Sequence, residues 1–154
     1  MVFANIILSL AFLLAPREAV TISNSCKFDE YTNVYCEDQQ ARLDNYAISL
    51  EKSPQARVYI LVYGGKKDRF GQNPWRHEAQ IRADAIKEYL VNTRGIKSEL
   101  LVTVDGGYRE TWTVELYICS AGAPAPKATP TLSAKQIRFR TRKPKREEYI
   151  VFCG

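Results

Sequence analysis

Histidine and methionine are nearly missing from this 154-residue chain, which has one of each, His77 and Met1. One histidine, flanked by Arg76 and Glu78 on a predicted helix face, reads as a solvated surface group and leaves no material for a histidine-rich metal site. No HExxH and no serine in a nucleophile elbow occurs. Gly64-Gly65-Lys66-Lys67 lacks the GxxxxGK[ST] spacing of a phosphate loop. The four cysteines, Cys26, Cys36, Cys119 and Cys153, include no CxxC pair, which argues against zinc. No apolar stretch approaches the roughly 20 residues needed to span a bilayer. With no nucleophile–base set in view, the chain reads as a non-enzyme with no metal and no cofactor, and a secreted hydrolase ranks last among its readings.

One apolar run is present, and it is short. Residues 1–15 carry no charge before Arg17, and Ile6 to Ala15 has the size of a signal-peptide core. No basic residue precedes it, so a buried N-terminal strand or helix is the competing reading. Small residues at Ala19/Thr21 and Thr21/Ser23 fit a cleavage site, giving a leader over 1–22 and a mature start between Val20 and Cys26. Ser23-Asn24-Ser25-Cys26 lacks the leucine-like residue of a lipoprotein box. An even cysteine count in an exported chain suggests disulfides, and four cysteines allow three pairings. Cys119 with Cys153 is weakly preferred, because it would close the tail back on the last strand.

The net charge of +5 belongs to one end. Residues 22–134 carry 14 basic and 14 acidic side chains, whereas residues 135–154 carry seven basic against Glu147 and Glu148. Between these regions, residues 121–134 are rich in Pro, Ala and Thr and read as an extended linker. The organisation is therefore a leader (1–22), a domain (26–120), a linker (121–134) and a basic C-terminal tail (135–154).

The domain reads as strand, helix, strand, helix, strand, strand. Residues 27–35 form a weak first strand. Residues 37–53 carry Leu43, Tyr46, Ala47 and Leu50 at helical spacing, and Pro54 ends them. Residues 57–63, RVYILVY, have the uniform apolar character of a central strand buried on both faces. Asn73-Pro74 supplies a helix start, with Asn as cap and Pro in the first turn, and Ala79, Ala83, Ile86 and Leu90 trace one face as far as Gly95. A third strand covers 100–104, Asp105-Gly106-Gly107 is a turn, and a fourth strand covers 111–119. In that strand Trp112, Val114, Leu116 and Ile118 share one face, and Thr113, Glu115 and Tyr117 the other. The expected fold is α+β: a two-layer sandwich, β-α-β-α-β-β, with a mixed four-stranded sheet and both helices on one face.

One constellation narrows the reading. Gly65-Lys66-Lys67-Asp68-Arg69-Phe70-Gly71 follows the central strand. Then come Arg82-Ala83-Asp84-Ala85-Ile86-Lys87-Glu88-Tyr89-Leu90 and Arg94-Gly95-Ile96. Residues 27–120 resemble the OmpA-like peptidoglycan-binding domain, whose pattern runs GxTDxxG, NxxLSxxRAxxVxxYL and a Gly-Ile turn, on the same element order. The resemblance implies that Asp68 takes the ammonium of a diaminopimelate side chain and Arg82 its carboxylate. A zwitterion needs one anion and one planar cationic fork at fixed separation. This chain departs from the pattern at Lys67, which replaces Thr, and at Trp75, Glu78 and Ala79, which lie where Asn and Leu-Ser are expected. The loop between Asp68 and Arg82 is also about one residue short, and Arg109 matches the family's basic residue before the last strand poorly. From the residues alone, Asp68 is a turn residue and Arg82 a helix-face ion-pair partner of Glu78 or Asp68.

The functional expectation is an exported, periplasmic or envelope protein that binds peptidoglycan stem peptides non-covalently. The alternative is the same fold without that ligand, serving as an envelope interaction module. The KQIRFRTRKPKR stretch either grips an anionic polymer or membrane surface or is a solvated tail; it gives no strong nucleic-acid signal.

Overall fold

A computed structural model describes residues 26–68 and 70–141. The expected leader, Arg69, Cys153 and the rest of the chain from 142 onward lie outside the described residues. The elements are β1 (Lys27–Thr32), α1 (Cys36–Glu51), β2 (Arg57–Gly64), α2 (Glu78–Asn92), β3 (Leu101–Tyr108) and β4 (Thr113–Cys119). This is the expected α+β class. The sheet order is β1-β4-β2-β3, with β2 and β3 parallel and the β1–β4 and β2–β4 pairs antiparallel.

Strand alternation divides the residues between the two faces. Val58, Ile60 and Val62 of β2 join Val114 and Leu116 of β4 beneath Leu43, Tyr46, Ala47 and Leu50 of α1 and Ala79, Ala83, Ile86 and Leu90 of α2. Both helices therefore cover one face with their apolar stripes, as the 3.6-residue spacing requires. The other face holds Tyr59, Leu61, Tyr63, Tyr117 and Cys119. That is why RVYILVY shows no alternation: both faces of β2 are buried.

Several boundaries differ from expectation: β1 ends at Thr32 rather than at 35, α1 covers Cys36–Glu51 rather than 37–53, and three further differences bear on the site. Helix α2 starts at Glu78 rather than at Asn73-Pro74, and its N-cap His77 has a left-handed backbone, φ 60°. The segment before it stays irregular because Trp75 is buried there and the Asn73 and Pro74 carbonyls accept hydrogen bonds from Arg140. Strand β3 runs through Asp105-Gly106-Gly107 to Tyr108 rather than turning there. The Tyr63 ring lies against Gly106 so closely that a Cβ there would meet Cε1 at 2.6 Å, so this glycine serves close approach. Strand β4 begins at Thr113, two residues later than expected. Gly95 does end the helix: its φ of 70° lets the Ile96 amide reach the Leu90 carbonyl.

Cys119 bonds to Cys26, not to Cys153. β1 and β4 are antiparallel neighbours with Lys27 opposite Tyr117, which brings the Cys26 and Cys119 Cα atoms to 4.8 Å. A crosslink over a sequence separation of 93 is worth about 4.5 kcal/mol in the chain-entropy model. Cys36 is disulfide-bonded as well. Disulfides persist in oxidising compartments outside the cytosol, and the Cys26–Cys119 bond fits such a location. No helix among the described residues is long and apolar enough to cross a membrane.

The stretch 121–141 lies back on the domain. Thr131 and Leu132 donate to the Tyr108 carbonyl, Ala123 packs against the Tyr59/Tyr117 face, and Ile137 is buried. A Pro/Ala/Thr composition permits an extended path but does not require a detached one.

Candidate functional site

The loop after β2 is built around Asp68. Its Oδ1 accepts from the amides of Phe70 (2.9 Å) and Gln72 (2.8 Å), and its own amide donates to the Gln72 carbonyl (2.9 Å). This is an Asx-type closure, in which a short carboxylate substitutes for missing backbone partners. It fixes the side chain and leaves Oδ2 to other partners. Arg140 Nη2 donates to that oxygen at 2.7 Å. The same guanidinium donates through Nε to the Asn73 carbonyl and lies over the Trp75 indole, 4.1 Å from the ring centre. Arg140 is further anchored by its amide, which donates to the Pro74 carbonyl at 2.9 Å. A carboxylate, a carbonyl and an aromatic face thus converge on one planar cation.

Arg82 sits on the first turns of α2 and is buried, with 5% of its surface exposed. Glu78, one turn earlier, accepts from its Nε (3.0 Å) and Nη2 (2.5 Å). The other Glu78 oxygen accepts from the Trp75 amide (3.0 Å), and the Arg82 guanidinium stacks on Trp112 at 4.4 Å. Glu78 therefore links the two halves: its carboxylate holds Arg82 and also fixes the backbone of Trp75, on which Arg140 stacks. Of the two partners open to Arg82 from sequence, Glu78 is the one it takes. Tyr31, whose ring meets Trp112 edge-on, has a buried Oη with no hydrogen-bond partner among the described residues. Burial pushes the titration of Tyr31 far upward, with Asp29 adding to the effect, so it remains a neutral phenol.

Arg109 belongs elsewhere. It turns to the opposite face, where it stacks on Tyr63 (3.6 Å) and donates to Glu115 Oε1 (3.0 Å). Lys27 donates to the same oxygen, and the Tyr63 and Tyr117 hydroxyls donate to Oε2. Burial alone would raise the Glu115 carboxyl. The bonds from Lys27, Arg109 and Tyr63 outweigh it and hold the group below the ordinary carboxylate range. On Tyr117, burial and the neighbouring Glu115 charge push the hydroxyl up to about 12. None of the buried side-chain atoms of this cluster is left without a partner, and both Glu115 oxygens are taken, so the cluster reads as a structural network. No group of three or more metal-ligating side chains occurs among the described residues.

Asp68 and Arg82 were legible as candidates; the groups around them were less so. Trp75 stood out only as a departure from a motif, whereas Glu78 was also one of the two candidate ion-pair partners of Arg82. Arg140 lay within a basic stretch whose periodicity gave no sign that one arginine returns across 72 residues to Asp68. No protein-family model matches the chain, and no characterised protein matches its sequence.

Proposed function

We propose that this is an exported cell-envelope protein that binds peptidoglycan stem peptides non-covalently, with Asp68 receiving the side-chain ammonium of a diaminopimelate residue. The observation that carries the reading is the state of Asp68. Two backbone amides fix one oxygen, and the other meets a cation at 2.7 Å. An ammonium in the place of the Arg140 guanidinium would find the same carboxylate and the same Trp75 face. The β-α-β-α-β-β order and a disulfide suited to an oxidising compartment support the reading. Arg82 supplies the carboxylate partner, and to do so its fork must exchange Glu78 for the ligand.

Retention on purified sacculi tests this. The full chain is retained, and Asp68→Asn, which keeps the loop's shape and removes the charge, loses at least about tenfold in affinity, the effect of one lost charge-assisted bond. Equal retention of the two proteins overturns the assignment. A second reading, the same fold acting as an envelope interaction module without this ligand, is favoured by the burial of Arg82 against Glu78. It takes over if neither the wild type nor Arg140→Gln is retained.

A further inference from the structure

We infer that segment 137–140 is an internal ligand: a strap whose Arg140 occupies the Asp68 site, so that docking of the strap and capture of an external cation exclude one another. The site is a receptor for a guanidinium or primary ammonium group, and the chain's own tail fills it. That the external cation is a stem-peptide ammonium rests on the reading above; the occupancy itself does not.

The geometry separates this contact from an ordinary surface ion pair. Asp68 and Arg140 are 15% and 20% exposed at the side chain, so the pair is largely removed from water. Arg140 uses three different groups of one loop: the Asp68 carboxylate, the Asn73 carbonyl and the Trp75 ring. Its neighbours seat the segment. Ile137 is buried, and Phe139 packs edge-on against Tyr108 at 5.6 Å and beneath the Arg76 guanidinium at 4.7 Å. The strap nevertheless adds no strand to the sheet, and among the described residues its one backbone–backbone tie to the loop is the Arg140 amide to the Pro74 carbonyl. Ile137 joins neither core cluster, and beyond it the segment is held by the Arg140 guanidinium, the Phe139 ring against Tyr108 and Arg76, and one amide, so residues 138–140 can be released without opening the core.

The experiment uses the full chain with intact disulfides, as wild type, Arg140→Gln and Asp68→Asn. Hydrogen exchange of the backbone amide at position 140 reports the strap, with the Ile60 amide as the measure of global folding. A muramyl tripeptide ending in diaminopimelate is the probe, titrated by calorimetry. Either substitution should speed exchange at position 140 at least about tenfold without moving Ile60, as local release requires. Arg140→Gln should bind the tripeptide at least about tenfold more tightly than wild type, since a competing occupant has been removed. The tripeptide should also deprotect the Arg140 amide of wild type. Unchanged protection at position 140 in both variants overturns the strap. So does a freed strap with equal tripeptide affinity in wild type and Arg140→Gln. If the strap is freed and neither protein binds the tripeptide, the occupancy stands and the stem-peptide reading falls.

Discussion

The two faces of the sheet are buried by different means. The helix-covered face is mostly apolar, closed by the Leu43/Tyr46/Leu50 and Ala83/Ile86/Leu90 stripes, with the buried Arg82–Glu78 pair stacked on Trp112. The other face buries a carboxylate, Glu115, under two tyrosine hydroxyls, a lysine and an arginine, and is roofed in part by the non-helical chain after β4. An apolar interface tolerates small displacements at modest cost, whereas a satisfied polar network loses most when one member is removed and its partners stay buried. The first face should therefore fail by cavity formation and the second by loss of a single bond.

Leu116→Ala probes the first mechanism. Leu116 is fully buried between β4 and the helices, so its truncation should lower stability by about 4 kcal/mol, independently of pH, by denaturant unfolding. Glu115→Gln probes the second and should cost about 2 kcal/mol at neutral pH. Because the folded-state pKa of Glu115 is depressed, its contribution is fully present above the unfolded carboxylate range and is lost as pH falls through the folded value. The gap between wild type and Glu115→Gln should thus be constant above the ordinary glutamate range and close only as the pH falls below it. A gap that persists in acid would mean that packing, not charge, carries the second face. Tyr63→Phe is the finest probe. It removes a hydroxyl that donates to Glu115 and accepts from the Thr129 amide, and should cost about 1 kcal/mol while raising exchange at Thr129. Unchanged exchange there would separate the roof from the network.

The same contrast explains what could be read in advance. Helical stripes and the two-faced β2 are local patterns, so the element order and the helix-covered face were legible from residues such as Leu43, Ala47, Ile60 and Ile86. The β4 alternation assigned Trp112, Val114 and Leu116 to one face and Tyr117 to the other, as found. What escaped depends on contacts distant in sequence. The Cys26–Cys119 bond follows from the β1–β4 register. The irregular path of Asn73-Pro74-Trp75 follows from partners brought by Arg140. A proline after an asparagine is a sound local start for a helix, and here tertiary contacts override it. Asp68 could be singled out as an anion in a glycine-flanked loop, but composition does not say which cation it holds.

The proposed competition is between the tail and an external cation for Asp68. It is tested most directly by sacculus retention of Arg140→Gln beside the double variant Arg140→Gln/Asp68→Asn, both as full-length, disulfide-intact chains. Arg140→Gln should be retained more strongly than wild type, and adding Asp68→Asn should abolish the gain. Retention of the double variant equal to that of Arg140→Gln would contradict it.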